Sequence, residues 1–565
     1  MNINKQFFLI IIIISLSTSD SPATNIGAYV KTPNPDELQF RLGNGIGGFE
    51  SSWSVDNVRN LMEYAGYDGM RKKLPEQHFV NWGYGIELGV CEINEKHGIL
   101  DVVGYLCTPS KEHSSNKSSV SEACLPANLY EPIWLSNGEV NPNNYWAAYI
   151  NKTVSTYKKY IKIWETWNEP DYVRNVDTSK WETSPPNPSD LTHWYGSIFE
   201  YIRLLRITYE VAKKVDPDCW VATGGLGYPY FLDGIMRYTD NPVDGSVTKD
   251  YPALGGAYFD CDAFHKYPKW SSYDMQTGES IDGKGSDSHA KKVVTLKKNH
   301  HYIIKKYGFG DKYPAKIFIC TETGLDSEGE IGGNLVRRNW IIKLALLSIE
   351  YDVRQHHQLY FSDDGTGGGD YQKIGKFVSI EEGYKHLKSS SKGRRILKQM
   401  NLGKYVFDQN RTTEFRNSLK PGLTGIVLKR KFPKEENETY YSDYMYSVWI
   451  ECINEEVKGE VKTKLKIPIK NILQLNWEGK RKRKKKNSEF TVTNTPIFLL
   501  DNVNNYPDDD DGKGGLSGAA IFFIVVFVLI GVVFLALVGL YIYKRFIKNQ
   551  YLPLDKNLIG NLLLR

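Results

Sequence analysis

Two glutamates in this chain stand where a strand gives out, and acids placed that way serve chemistry better than they serve a core. The first is Glu169. Tyr160 to Trp167 is rich in β-branched and aromatic residues and reads as a buried strand, which Asn168-Glu169-Pro170 stops because proline cannot continue a strand ladder. The second is Glu322, which closes the apolar run Ala315 to Glu322 just before Thr323-Gly324. Two carboxyl groups that face each other can divide a displacement between them, one protonating the leaving oxygen and the other attacking the carbon that loses it.

The elements around these acids alternate. Helical periodicity in Val55 to Ala65 is followed by a short strand at Tyr67 to Lys72, a helix at Glu76 to His97 and a strand at Ile99 to Leu106. Tyr145 to Lys159 reads as a helix before the Glu169 strand, and Leu191 to Val215 as a long amphipathic helix after it. Cys219 to Ala222 and Cys261 to His265 read as strands, a helix at Ser288 to Lys306 feeds the Glu322 strand, and Asn334 to Glu350 feeds a last strand at Val353 to Phe361. The first strand falls within Ile26 to Phe49, whose glycine run Gly43 to Gly48 does not match a nucleotide-binding fingerprint. About eight strand–helix alternations imply parallel strands closed into a (β/α)8 barrel, with catalytic groups at the C-terminal tips. Glu169 then sits at the fourth tip and Glu322 at the seventh, across the mouth from each other.

The octet Trp164 to Asp171 resembles the acid/base motif of retaining glycoside hydrolases built on (β/α)8 barrels, and closely resembles the form found in α-L-iduronidases and their β-xylosidase relatives, glycoside hydrolase family 39. The resemblance extends over roughly Lys162 to Phe361. It implies that Glu169 is the acid/base and Glu322 the nucleophile, with carboxyl groups about 5–5.5 Å apart. Asn168 is then the partner of the sugar hydroxyl next to the anomeric carbon. Arg71 resembles the early-strand arginine of this clan and would keep Glu322 ionised, while His265 resembles the sixth-strand histidine that orients the pair. Tyr267, with Trp82, Trp167 and Tyr360, is a candidate sugar-stacking wall, and Lys266 a candidate cation for a uronic acid. Xylose, glucose and uronic acid substrates all stay open. A barrel kept for carbohydrate binding, or as a receptor ectodomain without turnover, is the competing class; two carboxylates in strand-end contexts favour the enzyme.

Composition bounds the rest. The net charge of +5 is localised, since Lys480 to Lys486 contributes seven positive charges and leaves the remaining chain near neutral. That excludes a nucleic-acid binder and leaves the basic run as a polyanion contact or a solvated hairpin tip. The seven cysteines show no metal-ligand spacing with histidine, so neither a metal nor a cofactor is expected; Cys107 and Cys124 could bridge the polar loop between them. Asn116, Asn151, Asn410 and Asn437 begin glycosylation sequons.

Residues 1–19 read as a secretory signal, 20–403 as the barrel, 404–501 as a small antiparallel β-sandwich and 502–515 as a flexible stalk. The uncharged run Leu516 to Tyr543 is long enough for a transmembrane helix, and Lys544, Arg545 and Lys548 after it set a type I orientation. The tail 544–565 carries Tyr551 to Leu554 and Asp555 to Ile559, which resemble sorting signals. A single-pass protein of the plasma membrane or of an endosomal or lysosomal membrane is therefore expected, with the barrel on the extracytoplasmic side.

Overall fold

The computed structural model describes residues 34, 36, 38–45, 54–118, 123–326, 333–359, 380–436, 438–457 and 459–501. Eight parallel strands close into a barrel: β1 (Arg41–Gly45), β2 (Gly69–Pro75), β3 (Asp101–Cys107), β4 (Ile161–Thr166), β5 (Trp220–Ala222), β6 (Cys261–His265), β7 (Ile317–Thr323) and β8 (Val353–Gln358). They neighbour one another in chain order, and β8 pairs with β1 to complete the ring. The expected helix Glu76 to His97 is two helices, Glu76–Trp82 and Leu88–Lys96, because Gly83 takes a positive φ of 78° and ends the first.

Strand alternation explains the interior. Val103, Ile163, Ala263 and Ile319 belong to an apolar layer inside the barrel. Two residues further on, along the same strands and hence on the same face, come Tyr105, Glu165, His265 and Thr321. The barrel is thus oily below and polar above, and its polar layer lies toward the strand tips. Residues of opposite parity, such as Met70, Leu74, Trp164, Phe264 and Cys320, pack outward in the main core shared with the helices.

A second, antiparallel assembly follows: β9 (Tyr405–Phe407), β10 (Leu423–Arg430), β11 (Tyr444–Ile450), β12 (Glu460–Lys464), β13 (Asn471–Leu475), β14 (Arg481–Lys485), β15 (Glu489–Thr493) and β16 (Ile497–Asp501). Six of these form one sheet in the order β9-β10-β11-β16-β13-β14, and β12 pairs with β15. One face of the larger sheet, through Ile426, Trp449 and Phe498, shares a core with Ile342 and Leu346 of the helix Gly333–Glu350. The opposite face packs Val427, Val448 and Leu499 with Phe490 and Val492. Asp287, in the first turn of the helix Ser286–Lys306, ties the two parts together. It accepts from the Trp449 indole at 2.8 Å and from the Cys452 amide at 2.7 Å, and pairs with Lys343 at 2.6 Å.

The basic run is not a hairpin tip. Arg481–Lys485 is an edge strand paired with β13 alone, and like-charged side chains along an exposed edge discourage further strand addition. A polyanion contact there has no support beyond the charge itself. Cys107 and Cys124 are both buried, unbridged thiols. Asn116 and Asn410 are exposed; Asn151 is half-buried in the helix Tyr145–Tyr157, with the Thr153 hydroxyl of its sequon bonded to the Tyr149 carbonyl; Asn437 lies outside the described residues.

The membrane-spanning helix is a correction to the expected fold. Among the described residues no helix is long and apolar enough to cross a membrane. The 21-residue helix Ser286–Lys306 is long enough, but lysines and histidines along it, and Asp287 in its first turn, make it amphipathic. The span expected at 516–543 lies outside the described residues, as do the signal at 1–19, the stalk at 502–515 and the tail at 544–565. The single-pass type I topology, and the plasma-membrane or endosomal or lysosomal location that followed from it, are accordingly not supported.

Candidate active site

The polar layer converges on Arg71. This residue lies inside β2 rather than at its tip, since the strand runs on through Lys72 and Lys73 to Pro75, and its side chain is almost fully buried. Its guanidinium binds Glu165 through both oxygens, Nε to Oε2 at 2.7 Å and Nη2 to Oε1 at 3.1 Å. It also donates to Glu322 Oε1 at 2.5 Å and Asn168 Oδ1 at 2.7 Å, and lies 4.0 Å from the centre of the Tyr105 ring. Burial opposes the charge, but Glu165 and Glu322 more than offset it and raise the Arg71 pKa above its usual value. Tyr267 donates its hydroxyl to the other oxygen of Glu322, Oε2, at 2.8 Å.

Glu322 reaches this position through an irregularity. By strict alternation it would follow Cys320 outward, yet a register shift between Phe264 and His265 sets Glu322 opposite His265. The bulge brings consecutive residues Thr321 and Glu322 both toward the mouth, which is how bulges re-aim side chains beside functional sites.

Glu169 is presented by a strained turn. Trp167 and Glu169 have positive φ values of 76° and 48°, a conformation that costs an L-residue about 1–2 kcal/mol each. Local bonds hold it: the Glu169 amide donates to the Gly224 carbonyl at 2.6 Å, Trp167 donates its amide to the Leu106 carbonyl at 2.9 Å, and its indole to the His193 carbonyl at 2.8 Å. Gly224 has no room for a side chain, because a Cβ would strike the Thr166 carbonyl.

The acid lies between two imidazoles. His265 Nδ1 is 2.9 Å from Glu169 Oε1, and His193 Nδ1 is 3.3 Å from Oε2, too poorly aligned for a full hydrogen bond. Burial would raise the Glu169 pKa, but the two imidazoles outweigh it and hold the carboxyl well below its ordinary range. Burial likewise opposes charge on His265, yet Glu322 and Glu169 raise its pKa. Asp171, fully buried behind the turn, accepts from the Gly227 and Tyr228 amides at 2.8 and 2.7 Å, and burial together with the charge of Glu169 pushes its pKa up to about 7.

Of the residues singled out from sequence, Glu169, Glu322, Asn168, His265, Arg71 and Tyr267 all meet here. Others do not. Trp82 is 61% exposed at the end of its helix and Tyr360 lies outside the described residues, whereas Trp167 packs in the main core and also lines the cavity beside Asn168. Lys266 is engaged elsewhere, donating to the Ser271 carbonyl at 2.7 Å, and burial beside Lys292 lowers its amine to about 8. Sequence reading passed over Glu165, Thr321, Lys73 and His193. Lys73 keeps the parity of Arg71, and Glu165 and Thr321 keep that of Ile163 and Ile319, which the structure places inside the barrel; His193 rests on a loop and carries no such signal.

Beside the pair, a cavity of about 150 Å³ is lined by Lys73, Tyr105, Trp167, Asn168 and His193 among others. A larger hollow of about 160 Å³ near Arg41 and Asp68 lies at the N-terminal ends of β1 and β2, away from this chemistry. Glu169, His265 and Glu322 each offer a ligand atom within 4.8 Å of the others, close enough to hold a cation. The Arg71 guanidinium already sits on Glu322 and opposes a second positive charge there.

Comparison with known proteins bears on the fold. No protein-family model matches the chain, and no curated protein does. Among solved structures, a family 39 glycoside hydrolase from the gut symbiont Bacteroides cellulosilyticus WH2 aligns with a TM-score of 0.52 and 16% identity, covering 83% of this chain and 82% of that one. The catalytic domain of a GH30 xylanase C from Talaromyces cellulolyticus aligns at 0.48 with 10% identity, covering 82% and 97%. The resemblance to family 39 read from Trp164 to Asp171 is thus met at the level of the fold.

Proposed function

We propose that this chain is a retaining glycoside hydrolase that cleaves O-glycosidic bonds by double displacement, with Glu169 as acid/base and Glu322 as nucleophile. The observation that carries the reading is the separation of the two carboxyl groups at the tips of β4 and β7, with oxygens within 4.8 Å. Retaining enzymes need about 5–5.5 Å between carboxyl groups, whereas inverting ones need roughly 6.5–9.5 Å to admit a water between them.

In the first step a Glu322 oxygen attacks the anomeric carbon, the glycosidic C–O bond breaks, and the leaving oxygen takes a proton from Glu169. In the second, Glu169 removes a proton from water as that water attacks the glycosyl ester and frees Glu322. The Glu322 charge favours a proton on His265, and the two imidazoles favour an ionised Glu169. Attack consumes that charge. The hold of His265 weakens as the ester forms, so the proton becomes available to Glu169 at the moment the leaving oxygen needs it. Asn168, fixed by Arg71, faces the hydroxyl next to the reacting carbon, a contact that strengthens as positive charge develops.

Between iduronidase-like and xylosidase-like specificity, Lys73 favours the former, because it brings a cation to the cavity that Asn168 lines. The test is turnover on a panel of aryl glycosides. Hydrolysis of an aryl uronide in preference to the xyloside, abolished by Glu322→Ala and partly restored by azide in Glu169→Ala, is expected. No turnover on any sugar, with ligand binding unchanged by Glu322→Ala, would leave a binding protein on the same barrel.

A further inference from the structure

Behind the acid runs a buried chain of hydrogen bonds that the displacement chemistry does not itself require. Thr321 Oγ1 donates to Glu165 Oε1 at 3.0 Å and lies 3.0 Å from His265 Nε2, while His265 Nδ1 lies 2.9 Å from Glu169 Oε1. Thr321 and Glu165 are fully buried, and His265 nearly so. We infer that Thr321 is a positioning residue that fixes His265 with its proton on Nε2, and so keeps an acidic proton in the His265–Glu169 bond.

A hydroxyl has one hydrogen, and the geometry decides where it goes. Both oxygens of Glu165 already accept from Arg71, so that carboxylate presents only lone pairs to its surroundings. If Thr321 turned its hydrogen to His265, two lone-pair oxygens would face each other at 3.0 Å with no proton between them, between two fully buried residues. The hydrogen therefore points at Glu165, and Thr321 can only accept from His265. Nε2 must carry a proton.

The consequence is a proton count. With Nε2 protonated, the Nδ1···Oε1 bond is closed either by an imidazolium donating to the Glu169 carboxylate or by a protonated Glu169 donating to a neutral imidazole. The two arrangements hold the same number of protons, and either lets Glu169 deliver one to a leaving oxygen; it is returned from the water consumed in the second step. With Nε2 bare, a neutral Nδ1–H satisfies an ionised Glu169, and the pair holds one proton fewer. No acid is then available. The other charged or titratable groups facing His265 are Arg71 from β2, Glu322 from β7 and His357 from β8; from the β5 side comes the backbone of Gly225.

The decisive measurement is ¹⁵N NMR of the histidine-labelled full-length protein, which reads the state of each ring nitrogen whether or not the protein turns over substrate. The parent protein should show His265 with Nε2 protonated, and Thr321→Val should move it toward the Nδ1–H form. A parent His265 with bare Nε2 overturns the inference without any variant. The kinetic arm rests on the glycosidase reading. Thr321→Val should lower kcat about 10–100-fold on substrates with poor leaving groups, a part of the roughly 10²–10⁴-fold that general acid catalysis supplies. Activated aryl glycosides, which leave without a proton, should be cleaved nearly as before, the alkaline limb should move down by about one pH unit, and Thr321→Ser should restore both. An equal loss on both kinds of substrate, or an unmoved limb, refutes the positioning role. Absence of all turnover in the parent protein would count against the glycosidase reading and leave the NMR result standing.

Discussion

Replacing Arg71 by methionine tests whether the polar layer is held together as described. The substitution keeps a similar length of apolar stem and removes four hydrogen bonds: two to Glu165, one to Glu322 and one to Asn168. Glu165 is fully buried and, among the described residues, would keep one hydrogen bond, from the Thr321 hydroxyl, with His265 Nε2 3.9 Å away, so a carboxylate would be left poorly compensated inside the barrel. Breaking a buried ion pair from one side costs about 3–5 kcal/mol, most of it the penalty on the group left behind. That origin makes a second prediction. Glu165→Gln alone also destabilises, but in Arg71→Met/Glu165→Gln both members of the pair are gone, and the double variant should be more stable than the sum of the singles by roughly 1–3 kcal/mol. Chemical denaturation of all four proteins at neutral pH, compared at constant m-value, gives the cycle. Additive costs, or an Arg71→Met protein within about 1 kcal/mol of the parent, would mean that Arg71 does not bear the charge of Glu165. Activity adds an independent axis. Arg71→Lys keeps a charge yet lacks the fork that reaches two carboxylates and an amide at once, so it should retain more stability than Arg71→Met while turnover still falls severely.

Gly225→Ala should cost more than about 2 kcal/mol and abolish turnover, because Gly225 has a φ of 66° and a Cβ there would collide with His265 Nε2; a stable, active variant would show that the β5 loop does not fix the imidazole. Asp171, raised from 3.8 to about 7, binds its proton more tightly folded than unfolded, so its contribution is full below about pH 3.8 and lost as the pH climbs to about 7. His356 and His357, which burial lowers to about 3, run the other way, their contribution being full above about 6.5 and lost toward pH 3. The Asp171→Asn protein, compared with its parent in denaturation series between pH 4 and 7, should therefore gain on the parent by about 3–4 kcal/mol as the pH rises, and parallel curves would refute the shift. Prolonged chelation should leave turnover unchanged, since Arg71 occupies the charge of Glu322; loss on chelation with recovery on adding a divalent ion would make Glu169, His265 and Glu322 a metal site instead.

What could be read from the sequence follows how locally each feature is encoded. The β4 and β7 tips were legible because a strand-forming run ending in Asn168-Glu169-Pro170 or Thr321-Glu322-Thr323 needs no distant partner to be recognised. Arg71 was legible as a residue but misplaced at a strand end, since Lys72 and Lys73 look like the polar residues that close a strand. In the fold they diverge: Lys72 turns outward to Glu87 at 2.9 Å, and Lys73 turns inward to the cavity. The basic run at Lys480 to Lys486 reads as a polyanion contact or a hairpin tip because nothing in seven cations suggests a strand; pairing with β13 is what makes it one.

Glu165 and Thr321 were illegible for a different reason. Each stands inside an apolar strand, where a lone polar residue reads as noise until its counterpart on another strand is known. Parity supplies the missing rule. Ile163 and Ile319 line the interior, so Glu165 and Thr321, two residues on, must line it as well, and so must Arg71 if Glu165 is to be neutralised. An acid two places past an interior residue in a parallel barrel strand is therefore a demand for a cation from a neighbouring strand. Here Arg71 meets that demand, and it is held rigidly enough by Glu165 to leave two of its bonds for Glu322 and Asn168. The buried pair is what allows one guanidinium to orient both Glu322 and Asn168, so the least legible glutamate in the chain helps to set the geometry at the two legible strand tips.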